Sequence, residues 1–234
     1  MNKVLILGDG LLGMELRNQT GWDFISRKRN TLDIQNIRVS IPKDENQKPI
    51  HNVIINCVAN TDTYSTDKGS HWDTNVKFVD ELIDFCNDYN IKLVHISTDY
   101  VYAGSVNNAS EDDVPVHCNT WYGYTKLVSD ALVQLRSKNH LVIRCTHKPF
   151  PFPYDGAWID QIGNFDYVHA IAALIIDTVS RNLTGLYNLG SEVKTMYELA
   201  IRSKIDVKKT FTPAHVPKNQ SMNLSKLWKD LSSQ

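Results

Sequence analysis

An apolar run, Lys3-Val-Leu-Ile-Leu7, passes straight into Gly8-Asp-Gly10-Leu-Leu-Gly13, and this junction narrows the fold more than anything else in the chain. Strand formers followed at once by three glycines at this spacing predict a strand, a tight turn and the start of a helix. Missing side chains let the main chain approach a bulky anion. The unpaired N–H groups and positive dipole end of the following helix favour negative charge there. Gly8, Gly10, Leu11, Leu12 and Gly13 are therefore candidates to hold the pyrophosphate of a dinucleotide. Taken alone, the same residues also suit an ordinary strand–helix turn.

The rest of the chain repeats the strand–helix alternation. Strands are expected at Lys3 to Leu7, Asp23 to Ser26, Val53 to Cys57, Lys92 to Ile96, Leu141 to Arg144 and Leu186 to Leu189. Between Trp72 and Tyr89, the residues Val76, Val79, Leu82, Ile83 and Cys86 recur at three- and four-residue spacing, so one stripe of a helix should cover a sheet. Further helices are expected over Tyr122 to Arg136 and His169 to Val179, with a short closing helix between Met222 and Leu231. Short strands alternating with longer helices predict βαβ units and a mostly parallel sheet. The expected class is α/β, a Rossmann-type doubly wound parallel sheet. At 234 residues and 42% apolar content, residues 1–234 should form a single domain. Pro149, Pro151 and Pro153 exclude a regular helix between Thr146 and Gly163, which reads as a loop over the active site.

Several function classes drop out on composition. A formal net charge of -1 supplies no field to gather nucleic acid or anionic lipid. No segment approaches the ~18 uninterrupted apolar residues of a membrane span, and the N-terminal apolar run is too short for a signal peptide core. Cys57, Cys86, Cys118 and Cys145 stand singly, which suits reduced thiols in a cytoplasmic compartment. His71, His95, His117, His147 and His169 share no ligand spacing with a nearby cysteine or carboxylate, so no metal is expected. His95, between Val94 and Ile96 in a strand, reads as a satisfied buried histidine.

Dinucleotides with a bare ribose usually meet an acid about 20 residues past the first glycine. That window holds Ser26-Arg27-Lys28-Arg29 and no acid. A hydroxyl and a guanidinium suit a 2′-phosphate, so Ser26, Arg27 and Lys28 point to NADP(H) over NAD(H); a solvated basic loop is the alternative. After the third strand, Cys57, Val58 and Ala59 are small enough to let backbone approach the cofactor's ribose and nicotinamide edge. Further on, Tyr122-Gly-Tyr-Thr-Lys126 sets a phenol and an ammonium one helical turn apart, downstream of Ser97-Thr98-Asp99. Lys126 on the same helix face should favour the ionised form of Tyr122, and the arrangement can deliver a proton to a carbonyl. Taken singly, each residue also fits a structural role: Thr98 as a strand-end cap, Tyr122 as a half-buried aromatic, Lys126 as a solvated helix residue.

The glycine turn, Asn56-Cys-Val-Ala59, Ser97-Thr-Asp-Tyr-Val-Tyr102, Tyr122-Gly-Tyr-Thr-Lys126 and Gly185-Leu-Tyr-Asn-Leu189 occur in the order seen in the extended short-chain dehydrogenase/reductases. The chain resembles that family over nearly its whole length, and within it the branch of dTDP-4-dehydrorhamnose reductase and related nucleotide-sugar 4-ketoreductases. The resemblance implies Thr98, Tyr122 and Lys126 as catalytic residues, with Tyr122 as proton donor. It implies Asp33 and Ile34 near the adenine, and Asn75 on the helix that carries the family's structural asparagine. Thr61, Asn75, Asp99, Tyr100 and Trp158 become candidate substrate contacts. The implied reaction is NADPH-dependent reduction of a dTDP- or UDP-linked 4-keto-6-deoxy sugar, and the implied assembly is a homodimer.

Departures from the family pattern are local. The usual GxxGxxG is one residue shorter here. After Arg144, where relatives read Thr-Ser-Trp-Val-Tyr, this chain has Cys145-Thr-His-Lys-Pro149 and a shortened continuation. Residues 146–165 and 191–234 are accordingly expected to form a reduced C-terminal substrate-binding region. A cofactor-binding regulatory subunit without turnover, as in the resembling methionine adenosyltransferase β subunit, is the alternative that this shortening favours; the intact triad argues against it. A dehydratase would be expected to carry an acid pair after Thr98, whereas Asp99 is followed by Tyr100.

Overall fold

The computed structural model describes residues 2–104, 106–115 and 119–233; His117 and Cys118 lie outside them. In chain order the first half holds β1 (Val4–Leu7), α1 (Leu11–Thr20), β2 (Asp23–Ile25), α2 (Ile37–Ser40), β3 (Val53–Asn56), α3 (Lys68–Trp72), α4 (Phe78–Tyr89) and β4 (Lys92–Ser97). Then come α5 (Trp121–Arg136), β5 (His140–Arg144) and four short strands: β6 (His147–Lys148), β7 (Gly156–Trp158), β8 (Ile162–Gly163) and β9 (Asp166–Tyr167). The remainder is α6 (Val168–Ser180), β10 (Gly185–Asn188), β11 (Lys194–Thr195), α7 (Met196–Ala200), β12 (Lys208–Thr210), β13 (Asn219–Gln220) and α8 (Ser225–Ser232).

All six expected strands join one sheet in the order β10-β5-β4-β3-β1-β2, and every pairing in it is parallel. This is the doubly wound α/β architecture. Both faces of the sheet are covered, which is why β1 and the first three residues of β3 read as apolar runs rather than alternating ones. On one face, Leu12 and Leu16 of α1 pack with Ile171 and Ile175 of α6 against Val4, Ile6 and Ile55. On the other, Phe78, Val79, Leu82, Ile83 and Cys86 of α4 pack against Leu5, Leu7, Ile54 and Leu93. The apolar stripe predicted from three- and four-residue spacing is buried throughout.

The helix expected from Trp72 to Tyr89 differs in its first part. Between α3 and α4 the chain opens into a π-helical stretch, Asp73–Lys77, and side-chain periodicity does not register the wider turn. That stretch aims Asn75 into the core, where its Oδ1 accepts from Asn60 N at 2.7 Å and its Nδ2 donates to Thr125 Oγ1 at 3.0 Å. Asn75 therefore ties α5 to the loop after β3; it does not face the crevice as a substrate contact.

The proline-rich stretch after β5 is non-helical, as expected, yet it is more than a loop. β6 pairs with β9, β7 with β12, and β8 with both β11 and β13. A separate apolar cluster holds these pieces together through Phe152, Phe165, Tyr167, Met196, Leu199 and Val207, with Trp158 against it. Trp158 is thus a packing residue of the C-terminal segments, which corrects its assignment to the substrate. The short strands there pair with segments as distant as Ile162 is from Asn219, so local sequence carries no strand signal for them.

Candidate active site

A crevice of about 950 Å³ opens at the carboxyl edge of the sheet. It lies where β1 and β3, adjacent in the sheet, send their following helices to opposite faces, the switch point at which such sheets bind ligands. The glycine turn forms one wall, with Gly8, Gly10, Leu11, Leu12 and Gly13 all lining the space. Gly8 has φ +100°, a backbone state that side chains resist. A Cβ on Gly13 would lie 2.1 Å from the Gly8 carbonyl oxygen, whereas Gly10 has nothing within 4 Å of where its Cβ would be. Gly13 is demanded by helix–strand packing, and Gly10 keeps open the ground before the amino terminus of α1. Such a cradle fits a pyrophosphate.

Arg27 and Lys28 line the same crevice beyond β2. Ser26 does not: it is buried, and its hydroxyl accepts from Arg29 N at 3.3 Å inside the turn. Arg29 is also diverted, its guanidinium 4.6 Å from the centre of the Phe24 ring. Asp33 is exposed, its carboxylate accepting from Gln35 N at 2.8 Å, and Ile34 packs against the core. Ser26, Asp33 and Ile34 thus fall outside the crevice lining, because the turn after β2 folds back on itself. Cys57, Val58, Ala59 and Thr61 follow β3 along the floor. Burial pushes the Cys57 thiol up to about 12, so it is a neutral surface there.

Thr98, Tyr122 and Lys126 all reach this crevice. Thr98 directly follows β4, and Thr120 caps α5 by accepting from Gly123 N at 3.0 Å, which places Tyr122 in the first helical turn. The Thr98 side chain stands beside the Tyr122 phenol and favours its ionised form. The Tyr100 ring stands edge-on at 6.0 Å, and its hydroxyl lies 3.3 Å from that of Tyr64. Burial pushes the phenol up to about 12, with Thr98 working the other way. This is opposite in sign to the expectation from Lys126. The lysine points into the sheet edge instead: its Nζ donates to Ile96 O at 2.7 Å and lies 3.3 Å from His95 Nε2. Burial holds Lys126 down at about 8.

Asp99 is the other correction. It sits behind the wall, 1% exposed, accepting from Thr98 Oγ1 at 3.2 Å and from Thr146 Oγ1. It orients the Thr98 hydroxyl rather than meeting substrate. Thr146, His147, Lys148 and Pro149 line the crevice and carried no motif. Their signal was positional: they directly follow the carboxyl end of β5, where doubly wound sheets gather ligand contacts. No group of three or more potential metal ligands exists among the described residues.

Residues 1–147 match the family described as the RmlD substrate binding domain. The chain belongs to this family. It is 25% identical over 225 residues to the spore coat polysaccharide biosynthesis protein SpsK of Bacillus subtilis, covering 86% of this chain and 77% of that protein. It is also 25% identical over 207 residues to dTDP-4-dehydrorhamnose reductase of Aggregatibacter actinomycetemcomitans, covering 79% and 70% of the two. In three dimensions it superposes on dTDP-4-dehydrorhamnose reductase from Bacillus anthracis, solved with NADP, at a TM-score of 0.78 and 20% identity over 98% of this chain and 93% of that one. No helix among the described residues of this RmlD-family chain is long and apolar enough to cross a membrane.

Beneath the site of this RmlD-family chain lies a buried ion pair. Arg144, at the end of β5, donates to both Asp130 oxygens, at 2.9 and 3.0 Å, and Ser97 Oγ donates to the same carboxylate at 2.8 Å. The pair therefore fixes the end of β4 from which Thr98 projects. Arg144→Met should cost about 3–5 kcal/mol, because Asp130 would keep a buried and uncompensated charge. Urea unfolding checks this, and a loss below about 1 kcal/mol would show the pair to be dispensable.

Proposed function

We propose that this chain is an NADPH-dependent reductase acting on a 4-keto-6-deoxy sugar nucleotide, linked to dTDP or UDP. One observation carries the reading: Thr98, Tyr122 and Lys126 share a single crevice with a glycine cradle and with Arg27 and Lys28. Relatives by sequence and structure include proteins named dTDP-4-dehydrorhamnose reductase, one of them solved with NADP.

Bound in the cradle, the dinucleotide would supply a hydride to the ketone carbon. The residues of the chain do the rest. Gly10 and the N–H groups of α1 receive the pyrophosphate, while Arg27 and Lys28 receive the 2′-phosphate. Tyr122 holds its proton throughout the neutral range and releases it to the substrate oxygen as negative charge develops there. Thr98 steadies the phenol, and Lys126 holds the nicotinamide ribose. Thr146 to Pro149 and Tyr154 form the sugar-nucleotide side of the crevice within one domain spanning 1–234, and the segment 191–234 supplies no residue to its lining.

The test is direct. Adding the protein to NADPH and a dTDP- or UDP-linked 4-keto-6-deoxy sugar should bleach the reduced-nicotinamide absorbance. Tight NADPH binding without turnover on any such sugar would shift the reading to a regulatory subunit. Arg27→Ala should weaken NADPH by about 10- to 100-fold, the loss of one charge-assisted bond of roughly 1.5–3 kcal/mol, and leave NADH nearly unchanged. Equal weakening of both, in a fluorescence titration, would sink the 2′-phosphate assignment.

A further inference from the structure

We propose that Lys148 is the residue that binds the diphosphate of the sugar nucleotide and so holds the substrate's non-reacting end. The proposal rests on the reductase reading for the identity of that ligand.

Lys148 comes from a segment in which this chain departs from its relatives. Cys145-Thr-His-Lys-Pro149 stands where they read Thr-Ser-Trp-Val-Tyr, and the pairing of β6 with β9, with Lys148 opposite Tyr167, fixes its backbone beside the crevice that it lines. Asp9, Arg27, Lys28, Lys126 and Lys148 are the charged residues of that lining. The first three lie with the glycine turn and the loop after β2. Lys126 Nζ is committed to Ile96 O at 2.7 Å. Among the described residues Lys148 has neither a hydrogen bond nor an ion pair, and Asp99 is the one charge that acts on it. Asp99 does not close on the ammonium: its Oδ1 takes the Thr98 and Thr146 hydroxyls, and its Oδ2 is buried without a partner. An ammonium drawn out of water with no acceptor is costly, and burial duly lowers the proton affinity of Lys148. A ligand anion would supply the missing acceptor.

Position decides which anion. β5, which leads into Lys148, lies three strand spacings from β1 in the sheet, or about 14 Å at ~4.8 Å each, so a pyrophosphate held by the glycine turn is out of reach. Arg27 and Lys28, beyond β2 at the far edge, stand farther still. The developing alkoxide is excluded as well, because Thr98, Asp99 and Cys145 act on the Tyr122 phenol and Lys148 does not. What remains is the diphosphate of the sugar nucleotide, which hangs from the sugar carbon across the ring from the ketone. Burial and Lys148 hold His147 down to about 4, so its imidazole stays neutral and the diphosphate meets a single charge there. The segment 191–234 sends no residue to the lining, which leaves Lys148 as the cation of the substrate side.

Calorimetric titration of the NADP-loaded protein with dTDP and with UDP tests this without turnover. Lys148→Met should weaken the better bound of the two by about 10- to 100-fold, the loss of one charge-assisted bond, while NADPH binding to the same variant stays within about twofold. Arg27→Ala should show the reverse pattern. In turnover, KM for the sugar nucleotide should rise by at least about tenfold with kcat within about threefold, because the lost interaction is made equally in the ground and transition states. Lys148→Arg should restore most of the affinity. A merely structural lysine would lower the melting temperature and both affinities together, and Lys148→Gln, which keeps a polar end without the charge, covers the case in which Lys148→Met fails to fold. Unchanged dTDP and UDP affinity in the neutral variants, an equal loss of NADPH, or no binding of either nucleoside diphosphate to the wild-type protein overturns the proposal. Lys148-dependent binding without turnover on any keto sugar would instead remove the reductase reading and keep Lys148 in its role.

Discussion

Tyr122→Phe lowers kcat by at least about 10² to 10⁴, the usual contribution of a positioned proton donor, and leaves the affinity for NADPH within about twofold. The phenyl ring keeps the packing against Tyr100 and the first turn of α5, so only the hydroxyl is lost. Steady-state assays with cofactor binding measured in parallel separate the two effects, and an unchanged kcat would take Tyr122 out of the mechanism. A pH profile sharpens the point. With the phenol pushed up to about 12, the donor stays protonated through the neutral and mildly alkaline range, so reduction loses no rate there to Tyr122. An alkaline limb near pH 8 in kcat/KM, which reports the free protein, belongs to Lys126.

The second large effect is a contrast between two glycines of one turn. Gly13→Ala forces a Cβ to within 2.1 Å of a main-chain oxygen, and 3.1 Å of its carbon. Both atoms are backbone, so the turn itself must move. Overpacking of this kind typically costs about 1–3 kcal/mol, and the displaced turn also forfeits dinucleotide binding. Gly10→Ala meets nothing within 4 Å and has φ -67°, which alanine accepts readily. Its stability should be unchanged while NADPH binding falls by tenfold or more, because the new methyl occupies the space before α1. Thermal unfolding and calorimetric binding on the same two variants test both halves. Wild-type affinity in Gly10→Ala would mean that the pyrophosphate sits elsewhere.

The sheet, its six strands and the helix stripes were legible because each rests on local chemistry. A central parallel strand must be apolar on both faces, and Val4–Leu7 and residues 53–55 are. A tight turn against a helix must lack Cβ atoms where backbone meets backbone, and Gly8 and Gly13 supply that. Tyr122 and Lys126 are brought to one helix face by nothing more than the helical repeat. The crevice was foreseeable for the same reason: its walls are whatever follows the strand ends at the switch point.

What the sequence determined by itself, then, is the α/β architecture, the glycine cradle and the gathering of Thr98, Tyr122 and Lys126, since all of these follow from residue type and short-range periodicity. Tertiary structure alone decided the sign of the electrostatics and the destination of individual side chains. Lys126 turns to Ile96 and His95 and leaves the phenol to the effect of burial, Ser26 and Asp99 are spent on internal hydrogen bonds, and Trp158 packs among strands that pair only with distant segments. Burial and the commitment of each donor to one acceptor depend on neighbours tens of residues away, and a pKa follows those neighbours rather than the residue's own place in the chain.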